Sequence, residues 1–415
     1  MLDDIKPSLP TDGERGSPPP HPHDTQTHNT HHNSFDSASV ADESGSIPVA
    51  QIGHISHVSF KDRLFSTWHK LTKRKRILLL TSLVGLLIGG SVAGYFIFIK
   101  SDPPPAPVVI QEPEPEPEPE PTTKPSPLTG VEVAIKLAEL PVTGIMIENS
   151  PEARPQSGLR DAGVVVEAVT EGGITRFLAL FQESKPKTIG PVRSARTHFL
   201  DFVVPFDAAL AHVGGSGHAL NEISHQNIRS LNQFTYPGAY QRSNARYAPH
   251  NMYTSRQQLL EVHKQAGFNK SNFKGFLRKE PAPSKTPKAS TINLNISSFN
   301  YNSSYNYHAE SNTYRRTMAN QPHMDETSGK RISPDVVVAL VAKHSYAGIY
   351  SRYKIRGSGE VFVFQDGKVI RGTWHKANRS AELTFKTKSG EPLALNPGQT
   401  WITLADNAGQ VTHSP

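Results

Sequence analysis

The chain has 415 residues, 34 prolines, no cysteine, 36% hydrophobic residues and a formal net charge of +7. The length allows two or three domains, and the missing cysteine removes disulfide frameworks, thiolate nucleophiles, thiolate metal sites and a cysteine-linked lipid anchor together. The positive balance permits phosphate-rich partners. No aromatic RNP strand, zinc-finger spacing or heptad-linked basic region accompanies it, so nucleic acid is not among the expected partners.

Residues 1–60 are rich in Pro, Ser, Asp and His without apolar periodicity, and the tail up to residue 76 reads as disordered. Its histidines, His21, His23, His28, His31 and His32, lack fixed geometry and read as polar tail rather than as a metal site. Next, Ile77–Ile99 is an uncharged apolar run long enough to span a bilayer core of about 30 Å as a helix. It is too long for a signal-peptide core and is followed by no small-residue cleavage site, so a retained signal anchor is expected. Lys70, Lys73, Arg74, Lys75 and Arg76 crowd its N-terminal side, whereas Lys100 alone lies just beyond the other end. By the positive-inside rule the N-terminus is cytoplasmic and everything after residue 100 is extracytoplasmic, with Tyr95 and Phe98 near the outer interface. Gly85, Gly89, Gly90 and Gly94 give overlapping GxxxG spacings that could support a homodimer, although glycine is common in membrane helices generally. Residues 100–127 alternate proline with acidic residues and read as a polyproline II spacer reaching about 90 Å.

The expected fold is an α/β or α+β extracytoplasmic head on a single N-terminal transmembrane helix. Within residues 128–280, GIMIEN, AGVVVEAVTEGG, ITRFLALFQ and AALAHVGG read as strands, and SARTHFLDFVV reads as an amphipathic helix, which makes a mixed α/β domain. A Lys-, Pro- and Ser-rich stretch over 270–290 is the expected boundary. In residues 290–415, SSFNYNSSYNYHAE, PDVVVALVAKH, GEVFVFQDGKVIRGTWHK, AELTFKTKSGE and QTWITLAD read as a β-rich domain, with a hairpin turn at Asp366-Gly367.

The stretch TIGPVRSAR concentrates the candidate chemistry. Ile189 ends a strand segment, Gly190-Pro191 turns the chain, and Ser194 is the expected N-cap of the following helix. Arg193 and Arg196 then place two guanidinium forks at a helix start, a pattern suited to phosphate, pyrophosphate or carboxylate. The competing reading is a pair of internal salt bridges to Glu167 and Glu171. Nearby irregular stretches add Arg154 and Arg160, the Gly-rich HVGGSGHAL, and Arg246, His250 and Asn251 in NARYAPHNMY. Several loops offering cations or donors make the anion reading stronger than any one of them would. His323, Asp325 and His375 could form an acid/base or metal pair, but their spacing reads more readily as turn chemistry. GGSG lacks the GxSxG order of a nucleophile elbow. Glu167, Glu171 and Asp201 are unranked candidates for a general base, with Glu171 and Asp325 the weak catalytic candidates.

In IENSPEARPQSGLRDAGVVVEAVTEGGITRFLALF, IGPVRSAR, FDAALAHVGGS, RYAPHNMYTS, HMDETSGKRI, PDVVVAL, GTWHK and LNPGQTWITL the chain resembles the YerB-like family of bacterial envelope proteins, a two-part domain of unknown function. The resemblance covers nearly all of residues 128–415 and implies an extracytoplasmic head in two parts, without a reaction or cofactor. Its distinctive motifs fall here on Glu148, Asn149, Arg154, Glu171, Arg176, Arg193, Arg196, His250, His323 and Asp325. Members resembling the family's namesake are lipoproteins held by an N-terminal cysteine, whereas this chain has none and offers Ile77–Ile99 instead. A weaker similarity, in GGITRFLALF followed by GPVRSAR, is to the LytR-CpsA-Psr phosphotransferases, whose acidic metal-binding positions have no match here.

The expected function is therefore a single-pass, membrane-anchored cell-envelope protein. Its head would bind a phosphate-bearing glycan or lipid-linked envelope precursor through Arg154, Arg176, Arg193, Arg196, Arg246, His250 and Asn251. The alternatives are a phosphotransferase acting on a polyprenyl-pyrophosphate-linked glycan and a non-catalytic envelope scaffold.

Overall fold

The structure, a computed structural model, describes residues 72–99 and 121–415. The expectations of a disordered tail, a tail histidine cluster and a polyproline spacer fall on 1–71 and 100–120, outside the described residues. Helix α1, Lys73–Ile99, is apolar all round from Ile77 onward and about 40 Å long at 1.5 Å per residue. It starts four residues ahead of the expected Ile77, taking in Lys73, Arg74, Lys75 and Arg76, and it is long and apolar enough to cross a membrane.

The head is organised around one large sheet. In chain order its first part supplies β1 (Thr143–Glu148), β2 (Val164–Val169), β3 (Thr175–Phe181), α2 (Thr197–Val203), β4 (Ala209–His212), α3 (Gly217–His225), β5 (Ser230–Asn232) and α4 (Arg256–Gln265). The second part supplies β6 (Thr291–Leu294), β7 (Ser303–His308), β8 (Thr313–Met318), β9 (Val336–Val341), β10 (His344–Ala347), β11 (Tyr350–Tyr353), β12 (Gly357–Gln365), β13 (Lys368–Lys376), β14 (Thr384–Thr387), β15 (Thr400–Ala405) and β16 (Val411–Ser414). Folded structure begins ahead of Leu128, because Thr123–Pro125, expected in the spacer, pairs with Glu132–Ala134.

The ten-stranded sheet has the order β14-β13-β12-β9-β15-β2-β3-β1-β4-β5. Strand β15, from the second part, lies parallel to β2 of the first, with Ile402 opposite Val166, so both parts complete the same sheet. Strands β9, β15, β2, β1, β4 and β5 run in one direction, with β3 inserted antiparallel between β2 and β1. Both faces are covered, which is why the strands read as continuous apolar runs rather than alternating ones. Val164, Val166, Leu178 and Leu180 pack with Phe199 and Leu200 on one face. Ile145, Ile147, Val165 and Phe177 pack on the other against Leu259 of α4 and Tyr305 and Tyr314 of a smaller sheet, in which β8, β7, β6 and β16 are neighbours. Asp366 and Gly367 both take positive φ, 58° and 69°, as the two-residue turn joining β12 to β13 requires.

A buried ion pair ties the smaller sheet to the large one. Arg316 of β8 donates to Glu167 of β2 at 2.7 Å, both side chains being wholly buried, and its guanidinium lies 4.6 Å from the Trp401 ring centroid. Trp401 Nε1 also donates to Glu167, at 3.1 Å. The salt bridge expected between Glu167 and the Arg193/Arg196 pair is therefore not formed, because Glu167 faces the other layer of the core.

Candidate functional site: an arginine-rich rim

All six parallel strands end on one rim of the sheet, and β3 starts there. In open α/β sheets that edge is where ligands are usually held. The TIGPVRSAR stretch is threaded through it by backbone bonds. Ile189 N–H donates to Thr254 O at 2.8 Å, Val192 to Met252 O at 2.6 Å, Arg193 to Met146 O at 2.8 Å and Ala195 to Gly214 O at 3.0 Å. Gly190 is needed here: its φ is +151° and a Cβ would sit 2.8 Å from Met252 O. Ile189 makes an isolated bridge to Thr254 rather than ending a strand. Ser194 does not cap α2. The N-cap position is Arg196, without a side-chain cap, and the Ser194 carbonyl instead accepts from Arg176 Nη1 at 2.5 Å.

Most of the rim's arginines are occupied by internal partners. Arg196 Nε donates to Glu171 Oε2 at 2.8 Å, its Nη2 bonds Glu171 Oε1, and its guanidinium lies 5.1 Å from the Tyr350 ring centroid. Arg176 Nη2 donates to the same Oε1 at 3.0 Å. Burial opposes ionisation of Glu171, but the charges of Arg176 and Arg196 outweigh it and hold the carboxyl at about 2. Burial, followed by repulsion from Arg196, lowers Arg176 to about 9. The salt-bridge reading thus describes Arg196 with Glu171, and a carboxylate so stabilised is a poor general base.

Arg154 donates to Asn149 Oδ1 at 3.0 Å and to Asn149 O at 2.8 Å, bracing the loop after β1. Gln156 Nε2 donates to Glu148 O and Asn149 Oδ1 and joins that loop to His323, whose Nε2 lies 2.8 Å from Gln156 Oε1. The other His323 nitrogen bonds Arg316, and burial together with Arg316 and Arg154 keeps the ring neutral. Arg246 bonds Tyr253, Pro155 O and Glu326, and Asn251 closes the following turn through Ser243 O at 3.0 Å and Arg246 O at 3.1 Å. Asp325 accepts from Ser328 N and Oγ, a turn role, and His375 bonds Thr373. Among the described residues no group of three or more metal-type side chains forms, and His323, Asp325 and His375 do not converge.

Arg193 differs from these arginines. Its Nε stands 3.3 Å from Glu148 Oε1, and its guanidinium enters no hydrogen bond among the described residues, while the side chain is 20% exposed. Glu148 ends β1 and is buried. Its Oε1 accepts from Ser150 Oγ at 3.1 Å and lies 2.9 Å from His250 Nδ1, while its Oε2 has no hydrogen-bond partner. Of the residues expected to bind an anion, Arg193 and His250 are thus brought together, around a carboxylate absent from that expectation. The signal for Glu148 was its place at the carboxyl end of a strand, just before Asn149-Ser150-Pro151. His212 was also missed. Buried beneath the Gly-rich loop, it contacts Gly214 O at 2.6 Å and Ser230 Oγ at 2.9 Å, and burial lowers its pKa to about 4.

Comparison with known families places this rim in context. Residues 128–269 match the N-terminal domain of the Protein of unknown function (DUF3048) family, and residues 292–402 match its C-terminal domain. The chain belongs to the DUF3048 family. A DUF3048 relative in Bacillus subtilis (strain 168), YerB, named as a candidate lipoprotein, is 30% identical over 285 residues, which is 67% of this chain and 85% of YerB. The crystal structure of YerB from Bacillus subtilis superposes with a TM-score of 0.64 at 28% identity, covering 70% of this chain and 100% of the solved chain. In DUF3048 terms, the rim loops from Glu148 to His250 all lie in the N-terminal part, while β9, β12 and β15 of the shared sheet come from the C-terminal part.

Proposed function

We propose that this is a single-pass cell-envelope protein whose extracytoplasmic head binds a phosphate-bearing, hydroxyl-rich ligand, such as a phosphorylated glycan or lipid-linked precursor, at Arg193. The observation that carries the reading is the contrast within the arginine set. Arg176 and Arg196 are hydrogen-bonded to Glu171, whereas Arg193 has only a 3.3 Å ion pair with Glu148 Oε1 and no hydrogen bond, and the other oxygen of that buried carboxylate, Oε2, has no hydrogen-bond partner. A guanidinium fork suits a phosphate, and an unpaired carboxylate oxygen suits a ligand hydroxyl. The lipoprotein designation of YerB and helix α1 both support attachment to a membrane, by different means.

Residues 121–415 lie within one compact unit, and the whole of the solved YerB chain is matched by 70% of this chain. Binding of the isolated head to a polyprenyl pyrophosphate in micelles and to a soluble phosphoglycan is the test. Arg193→Ala is expected to weaken binding at least about tenfold with little change in melting temperature, and Arg193→Lys to restore part of it. Binding indifferent to Arg193→Ala, or lost only in step with stability, overturns the proposal. A transfer reaction would need a base, and the Glu148–His250 pair fits that role better than Glu171. Turnover abolished by Glu148→Gln with ligand affinity retained would favour the catalytic reading.

A further inference from the structure

A second cleft, of about 260 Å³, opens between α2, α3 and the connection from β11 to β12. None of its lining residues belongs to the group of Arg193, Glu148, Ser150 and His250. Its floor is electrically closed. Asp201 accepts from Arg356 Nε at 2.7 Å and Nη2 at 3.3 Å, while Arg379 reaches both Asp201 and Glu222 and donates to Gln226 Oε1 at 2.7 Å. Its mouth is not closed. Arg352 and Lys354 are exposed there, and their side chains enter no hydrogen bond or ion pair among the described residues.

The wall holds the decisive feature. His198 is 4% exposed and lines the cleft, and neither ring nitrogen has a partner at good hydrogen-bond geometry, although the Ser351 backbone makes a weak contact that favours the protonated ring. Two aromatic rings flank it, with centroids 4.5 Å away at Phe199 and 5.4 Å at Tyr353. Burial, reinforced by Arg196 and Arg176, keeps the imidazole neutral, with a pKa of about 3. A neutral imidazole carries one donor and one acceptor, and burying both without partners destabilises a fold that a phenyl ring at the same place would not. Such a departure is expected where polar atoms meet something that comes and goes.

We propose that this cleft binds a small sugar phosphate-like molecule, with its phosphate at Arg352 and Lys354 and its hydroxyls at the His198 ring. Two unpaired cations at the mouth match an oxyanion, and the donor and acceptor of the ring match a neighbouring hydroxyl or phosphoryl oxygen. The volume falls just below the usual range of about 300–1,000 Å³ for ligand sites, which fits a monosaccharide-sized ligand and not a polymer or a lipid chain.

The test titrates the head with glucose 1-phosphate, inorganic phosphate and glucose, following heat of binding and the His198 ring nitrogens by NMR. Glucose 1-phosphate is expected to bind and to shift the His198 signals, and glucose alone is not. Arg352→Gln/Lys354→Gln should weaken binding at least about tenfold at unchanged melting temperature. His198→Phe should lose binding by a similar factor while raising the melting temperature, and Arg193→Ala should leave this binding intact, which separates this proposal from the one above. Inorganic phosphate binding as tightly as the sugar phosphate would overturn the proposal, because the sugar hydroxyls would then gain nothing from the His198 ring. Absence of binding at millimolar concentration overturns the proposal, as does glucose binding equally well, affinity unchanged by the double variant, or a lower melting temperature for His198→Phe, which would mean that the ring is already satisfied within the protein.

Discussion

Glu171→Gln tests how the arginine rim is held together. The substitution keeps the shape of the side chain and removes the negative charge that Arg176 and Arg196 share. The displacement of the Glu171 carboxyl from 4.5 to about 2 corresponds to about 3 kcal/mol at roughly 1.36 kcal/mol per pH unit. The side chain is 25% exposed, so solvent screens the pair only in part. At neutral pH the variant should therefore unfold in urea with a stability lower by about 3 kcal/mol.

The sign with pH follows from the direction of the shift. A carboxyl whose folded value is depressed contributes stability that is complete above its unfolded value and lost as pH falls toward the folded one. The difference between wild type and Glu171→Gln should thus be constant from pH 7 to pH 6 and shrink to roughly half by pH 3. Urea midpoints measured at matched ionic strength over that range give the comparison directly. A neutral-pH difference below about 1 kcal/mol, the range of an exposed pair, would refute the reasoning, as would a difference that does not change with pH.

Three further outcomes are expected. Arg316→Met should cost about 3–5 kcal/mol because it leaves Glu167 charged and buried, and adding Glu167→Gln should recover part of that loss, as a double-mutant cycle by urea unfolding would read. Asp335 is pushed up by burial, from 3.8 to about 6, against the opposing effects of the Gln399 backbone and Arg278. An acid with a raised folded value weakens the fold as pH rises through that window, so Asp335→Asn should flatten the fall in melting temperature between pH 4 and pH 6. Residues 292–415 expressed alone should give poorly dispersed NMR spectra, because β15 loses its parallel partner β2 and exposes that edge, while the whole head should unfold in one transition.

Legibility in the sequence followed burial. Runs such as Val164–Val169 and Val336–Val341 read as strands because both faces of the sheet are covered, and the Asp366-Gly367 turn announced its hairpin. Helices α3 and α4 escaped notice because GHALNEISH and RQQLLEVHKQ each bury few side chains. Their available signals were Ser216 and Ser255, whose hydroxyls accept from Ala219 N and Gln258 N. The insertion of β15 between β9 and β2 had no local signature, since it depends on pairing between distant segments. The same limit hid the site: Glu148 meets His250 across 102 residues, and nothing near either reveals the other.

An abundance of arginine at the rim is therefore a weaker indicator of binding than the way each one is satisfied. Arg154 holds a loop, Arg176 and Arg196 share Glu171, and Arg246 is braced by Glu326, so each has its charge or its donors met by the fold. Among the buried polar atoms that the fold leaves without a hydrogen-bond partner are Glu148 Oε2, on the carboxylate paired with Arg193, and the His198 ring nitrogens, in the cleft lined by Arg352 and Lys354. Buried groups of this kind destabilise a protein by about 1–3 kcal/mol each. Where such an atom also lies beside an arginine or lysine without a hydrogen bond, as at these two places, it marks the positions at which the proposed ligands would supply what the chain does not.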